Sequence, residues 1–259
     1  MEQQMKMTDL AGLSHFEKHF RELKDQYVIV GGFATLMLLD RELPNHGKAT
    51  YDIDLVLLTS TSVEMTDKIK TYVREGGYTI QKGQDSRYQY YRFVDPKIEG
   101  YAKEIELFAA EEYGIELDEE QHIIPIDPNE GLYSLSAIML DHDYFNMIKN
   151  NIEEIDGIPY SNTLATMLLK MSAVYDLYHR GEDKWKKHRR DILKLTLLLT
   201  GEERLVLTGR MIEDVTFFKA EIEKLTPKMI RQIVGRGIAV DKDAILDSIE
   251  QVFVIDAPK

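Results

Sequence analysis

The sequence predicts an α+β fold: a small mixed sheet with flanking helices over residues 1–157, then a C-terminal helical bundle over residues 158–259. Three observations carry this. Tyr27-Val-Ile-Val30 and Tyr51-Asp-Ile-Asp-Leu-Val-Leu-Leu58 are apolar runs of strand length, the first ending at Gly31-Gly32 before a stretch of helical spacing. After Ser86, strand-like segments follow one another closely, which calls for antiparallel pairing and excludes a doubly wound parallel sheet. Past Gly157-Ile-Pro159 the apolar spacing becomes helical.

Taken in order, Ser14-His-Phe-Glu17 reads as a capping box, with Phe16, Phe20 and Leu23 then at helical spacing. Tyr27 to Val30 is the first strand. Phe33 to Leu43 suits a helix, closed by Pro44 and the turn residues Asn45-His46-Gly47. Tyr51 to Leu58 is the second strand. Thr61-x-x-Glu64 opens another helix, with Met65, Ile69 and Tyr72 on one face and Gly76-Gly77 at its end. Ser86 to Val94 and Lys103 to Phe108 alternate as strands do, around a turn at Asp95–Gly100. His122–Ile126 and Leu132–Leu140 are weaker strands. In the second half, Ser161 or Asn162 caps a helix carrying Leu164, Leu168, Met171, Tyr175 and Tyr178. A further helix from about Asp183 to Thr200 has Trp185, His188, Ile192, Leu195 and Leu199 as its seam. Thr226-Pro227 pairs a cap with proline at the first helical position, and Ile245, Leu246, Ile249 and Phe253 mark a last helix.

With 259 residues, 44% apolar and 30% charged, the chain has an ordinary globular balance and enough length for a sizeable core. No run of eighteen apolar residues offers a membrane span, and the polar start from Met1 to Leu10 has no signal-peptide core, so the cytoplasm is the expected compartment. There is no cysteine, hence no disulfide and no thiolate metal site. A net charge of −13 opposes broad adhesion to nucleic acid, while leaving room for a local basic patch.

The chemistry-bearing residues lie at the first two strands. Strand side chains alternate, so Asp52 and Asp54 face one way. Two carboxylates side by side repel unless a cation lies between them, and Mg²⁺ takes carboxylate oxygens together with substrate phosphates. A strand-end Asp facing solvent is the plainer reading of a bare Asp-x-Asp. Here Ile53, Leu55, Val56, Leu57 and Leu58 make the strand mostly buried, where an unpaired Asp is costly. Upstream, Gly31-Gly32 permits close backbone approach, and the helix after it offers free N–H groups to an anion. Lys103-Glu-Ile-Glu-Leu-Phe108 supplies a third carboxylate: Glu104 and Glu106 share a face, and Glu106 stands nearer the apolar Phe108. The plainer reading there is a solvent-facing edge strand.

Val30-Gly31-Gly32, Tyr51-Asp52-Ile53-Asp54-Leu55 and Ile105-Glu106-Leu107 together resemble the three-part pattern of polymerase-beta-like nucleotidyltransferases. The lead-in Lys48-Ala-Thr50 to Leu55 looks like the AbiEii/AbiGii branch, the toxins of type IV toxin–antitoxin systems. Lys170 with Met171-Ser-Ala173, and Lys187-His-Arg-Arg-Asp191, are similar to that branch's C-terminal motifs; where the branch shows a basic residue followed by Asp, this chain has Lys187-His188. The resemblance covers about residues 25 to 200. It implies a nucleotidyltransferase sheet and Mg²⁺-dependent transfer of NMP from NTP to an acceptor hydroxyl on tRNA, protein or a small molecule. It also implies a cognate antitoxin. Asp52, Asp54 and Glu106 would hold two metal ions, Gly31, Gly32, Lys48 and Thr50 would meet the nucleotide, and Lys170, Lys187 and Asp191 would be further catalytic positions. Two other readings stand beside it: a non-catalytic nucleotide-binding or interaction module, and nucleotidyl transfer to an aminoglycoside-like molecule.

Helical spacing alone makes Lys187 and Asp191 i,i+4 neighbours, either phosphate-facing or a modest surface ion pair. Lys170 borders an apolar stripe, where a snorkelling lysine is the plainer reading. His188 falls on the seam as a packed histidine. Lys184, Lys186, Lys187, Arg189 and Arg190 form a basic cluster, either an RNA-backbone contact or a solvated helix face diluted by Glu182, Asp183 and Asp191. Tyr88, Tyr90 and Tyr91 suit sheet packing or base stacking.

Overall fold

The computed structural model describes residues 12–42, 52–59, 62–82, 88–110, 123–125, 136–235 and 241–255. The fold is α+β, as the sequence predicts. The chain divides into two compact units, Met1–Met37 with Lys48–Ser161, and Leu38–Gly47 with Asn162–Lys259. Among the described residues no helix is long and apolar enough to cross a membrane.

The first unit is built on a mixed sheet. Strands β1 (Tyr27–Val30), β2 (Asp52–Leu57), β3 (Thr79–Lys82), β4 (Tyr88–Val94), β5 (Glu104–Ala110), β6 (Ile123–Pro125), β7 (Ser136–Leu140), β8 (Ile152–Ile155) and β9 (Ile158–Ser161) join in the order β3-β4-β5-β2-β1-β9-β8, with β7 on β5 and β6 on β7. β2 lies antiparallel to β1 and parallel to β5. β9 lies parallel to β1, so residues 158–161 complete the sheet. The sequence reading passed over β3, β8 and β9: each is four residues long and, unlike Tyr27–Val30, is not a continuous apolar run.

Helix α1 (Leu13–Phe20) buries Leu13, Phe16 and Phe20. Its Phe16 ring stacks on Phe20 at 4.4 Å and meets Tyr27 edge-on at 5.6 Å. The capping box at Ser14 does not form, because Ser14 lies inside a helix that begins at Leu13; its N-cap is Gly12, whose φ is +88 and which lies against the Ala102 backbone. Glu17 instead accepts from Arg21 Nε at 2.7 Å. Helix α2 (Gly31–Glu42) follows β1 without a break. Helix α3 (Val63–Gly76) is capped by Ser62, whose hydroxyl accepts from the Met65 N–H, rather than by Thr61, which lies outside the described residues. Met65, Ile69 and Tyr72 form its buried face and Gly77 ends it in the left-handed conformation, as expected. The predicted loop at Pro44–Gly47 also lies outside the described residues. Helix α4 (His142–Lys149), capped by Asp141, completes the unit.

The second unit is helical: α5 (Thr163–His179), α6 (Trp185–Leu195), α7 (Arg210–Glu223), α8 (Pro227–Val234) and α9 (Lys242–Val252), with a two-stranded parallel ribbon of β10 (Leu205–Val206) and β11 (Phe253–Val254). Asn162 caps α5 by accepting from the Ala165 N–H, and Thr226 with Pro227 starts α8. Phe253, expected at the end of the last helix, instead opens β11. Helix α6 stops at Leu195 and tightens into a 3₁₀ turn, Thr196–Leu198, short of the predicted Thr200.

Candidate active site

Residues directly opposite in neighbouring strands point to one face, and the register assembles the site by that rule. Asp54 of β2 stands beside Glu106 of β5, and Asp52 beside Glu104. Antiparallel β4 places Arg92 beside Glu106 on the other side. One row across the sheet therefore runs Arg92, Glu106, Asp54 and Val30, and the next residue of the chain after Val30 is Gly31. The opposite face of the same strands buries Ile53, Leu55, Ile105 and Leu107. This apolar underside fixes the register, because a one-residue slip would drive all four carboxylates into the core.

Gly31 starts α2 at φ +68, and a Cβ built there would lie 1.8 Å from Asp54 Oδ2. The glycine is therefore required twice over, by backbone conformation and by the carboxylate seated against it. Thr35 Oγ1 donates to the Gly31 carbonyl at 2.7 Å and ties the first helical turn to this junction. A carboxylate at a helix N-terminus is electrostatically favoured. Gly32 is the second residue of the same helix.

Arg92 is the cation of this face. Its Nε lies 2.5 Å from Glu104 Oε1 and its Nη1 3.8 Å from Glu106 Oε1. Burial works to lower the guanidinium pKa, but Glu104, Glu106 and Asp54 outweigh it and the pKa is raised. Burial pushes the Glu106 carboxyl above its ordinary range; Arg92 opposes the shift, while Glu104 and Asp52 add to it. Among the described residues no three Asp, Glu or His side chains stand close enough together to hold a metal ion unaided. Mg²⁺ does not need such a cage, since one or two carboxylates with substrate phosphates and water complete its shell. The donor set of hard carboxylate oxygens fits that ion.

Tyr88, Tyr90 and Tyr91 lie on β4 of the first unit, and the remaining residues singled out from the sequence lie in the second unit or outside the described residues. Lys170 of α5 is 4% exposed and its Nζ donates to Asp191 Oδ2 of α6 at 3.1 Å. Asp191 thus pairs with Lys170, not with Lys187, its helical neighbour; Lys187 is exposed. The cause is depth: α5 and α6 pack together, and Asp191 lies on the face turned towards α5. Arg190 Nη2 stands 3.5 Å from Asp191 Oδ1. His188 is half-buried, with its Nδ1 inaccessible to solvent and without a hydrogen bond. Burial first, and Lys170 second, depress its pKa to about 4, against the pull of Asp191. The basic cluster is partly committed: Lys186 pairs with Asp183 at 2.6 Å, and the Arg189 guanidinium lies 4.5 Å from the Trp185 ring centroid. Lys48 and Thr50 lie outside the described residues.

The sequence reading missed Arg92. A hairpin centred on Glu99, within the turn already placed at Asp95–Gly100, pairs Arg92 with Glu106, so the signal was present in the spacing.

No family model matches the sequence, and no curated protein does. Two of the solved structures that match are as follows. The Megavirus polyadenylate synthase aligns with 87% of this chain at 12% identity and a TM-score of 0.43. An antigenic nucleotidyltransferase-like protein from Paracoccidioides brasiliensis aligns with 88% of this chain and 92% of its own length, at 15% identity and a TM-score of 0.44. The match spans 38% of the polyadenylate synthase chain.

Proposed function

We propose that this chain is a nucleotidyltransferase that moves a nucleoside monophosphate from an NTP to an acceptor hydroxyl on RNA, protein or a small molecule. The observation that supports this best is the contact of the Asp54 carboxylate with Gly31. It makes the glycine turn and the Asp-x-Asp strand one site, with an anion-accepting helix start on one side and cation-holding carboxylates on the other.

On this reading Asp52, Asp54 and Glu106, which share one face of β2 and β5, would hold Mg²⁺. Mg²⁺ when bound supplies neutralisation of the triphosphate and of charge developing at phosphorus. The N–H groups at the start of α2, opened by Gly31 and Gly32, receive phosphate oxygens. The acceptor oxygen bonds to the α-phosphorus as the bond to pyrophosphate breaks. Its proton passes to a carboxylate oxygen of Glu106, which the strand register places beside Asp54. Lys170 and Asp191 support the second unit's helix pair, and Lys187 is exposed on α6. The likeness of Lys48–Leu55 to type IV toxins adds that transfer would arrest growth and be countered by an antitoxin.

Incubating the protein with Mg²⁺, labelled NTPs and total cellular RNA or protein, beside Asp52→Ala/Asp54→Ala, tests the reading. Label transfer is expected from the native chain and not from the double variant. Transfer that persists in the variant overturns the site. NTP binding without transfer to any acceptor favours the non-catalytic module. Induced expression of both forms, with growth as readout, tests the toxin role.

A further inference from the structure

We propose that Arg92 is the resident counter-cation of the carboxylate face and sets how tightly that face takes a divalent ion before nucleotide arrives. The inference rests on the metal-holding role given above to Asp52, Asp54 and Glu106.

Four carboxylates, Asp52, Asp54, Glu104 and Glu106, share one face of two adjacent strands, where strand spacing sets the backbones less than about 5 Å apart. Like charges at that spacing oppose folding unless a cation is present. Arg92 stands in the same row as Glu106 and Asp54 and reaches Glu104 at 2.5 Å and Glu106 at 3.8 Å. Its side chain is 36% exposed, so it has an open path away from the sheet. A guanidinium and a divalent ion cannot both sit against Glu106 at full strength. A metal ion must therefore displace Arg92 from it, and a guanidinium so freed has the fork of donors that suits a phosphate oxygen. Arg92 acts through the carboxylates and is a positioning residue.

The test is a Mn²⁺ titration of the nucleotide-free protein, read by water-proton relaxation. Arg92→Gln is expected to bind Mn²⁺ more tightly, on the order of tenfold, because the competing charge is gone. Arg92→Lys, which keeps the charge, is expected to stay within about threefold of the native protein. Arg92→Met preserves the apolar stem and replaces the glutamine variant should that not fold. Without metal, Arg92→Gln should melt at a lower temperature than the native protein, and Mn²⁺ should raise its melting temperature by more. Equal Mn²⁺ affinity in the native, Gln and Met forms overturns the inference. Asp52→Asn/Asp54→Asn is measured alongside: if it binds Mn²⁺ as the native protein does, the metal site itself is misplaced. If it loses Mn²⁺ while Arg92→Gln is unchanged, the role of Arg92 alone fails.

Discussion

The Asp54 carboxylate occupies the space in which any side chain at position 31 would begin. A left-handed φ costs a non-glycine residue about 1 kcal/mol, and the Cβ would push Asp54 from its place. Gly31→Ala is therefore expected to lower stability by about 1–2 kcal/mol and nucleotidyl transfer by on the order of 10²-fold, since a 1 Å misplacement of a reacting group costs that much. Parallel urea melts and transfer assays would show whether activity falls further than stability does; an equal fall would sink the idea that Gly31 positions Asp54.

Glu106 separates stability from activity. Its pKa is raised, so ionised Glu106 opposes folding, and the stability lost on ionisation disappears only below its unfolded pKa. Glu106→Gln is expected to raise the melting temperature at pH 7, to leave it unchanged near pH 4, and to lower transfer by about 10²–10⁴-fold. Arg92 retains Glu104 in that variant, so no cation is orphaned. A lower melting temperature at pH 7 would contradict the assignment.

In the helical unit the Lys170–Asp191 pair should behave as a buried salt bridge. Lys170→Met and Asp191→Asn are each expected to cost about 1.5–3 kcal/mol in urea unfolding, because each removes a buried, charge-assisted hydrogen bond between the two helices. Lys170→Met/Asp191→Leu should cost well under the sum. Lys187→Ala, at an exposed site, should stay within about 0.5 kcal/mol. A comparable loss at Lys187 would show that the pairing is misassigned.

His188 gives the same unit a pH dependence. Its pKa falls from 6.5 in the unfolded chain to about 4 in the folded one, so the folded state takes up its proton last. The stabilisation is complete above pH 6.5, declines as pH drops towards 4, and is roughly 3 kcal/mol in all. Lys170, Lys187 and Asp191 face this ring, and Asp191 moderates the shift. His188→Gln should flatten the decline between pH 6.5 and 4 in urea unfolding; an unchanged slope would locate it elsewhere.

The helices with caps and long apolar faces were legible in the sequence, as Asn162, Thr226-Pro227 and Gly77 illustrate. The carboxylate strands were also legible, because a charged residue inside an otherwise apolar run has few explanations. Three things were not. β3, β8 and β9 are short and not continuously apolar, and β9 looks like a helix lead-in until its parallel partner β1 is known. The partner of Asp191 is set by packing between two helices, which i,i+4 logic within one helix cannot reach. Ser14 satisfied a capping pattern, but the cap is Gly12, whose positive φ and close approach to Ala102 depend on a contact about 90 residues away in sequence.

The parallel pairing of Ile29 with Tyr160 has a consequence for biosynthesis. β1 leaves the ribosome before β9, the neighbour that covers its second edge, which is made about 130 residues later. At 5–20 residues per second that is a wait of roughly ten seconds with an apolar edge exposed. A chain that stalls or is cut before Ile158 would present that edge to other chains, an open template for aggregation. Release of the nascent sheet from chaperones should accordingly come after Ser161 has emerged.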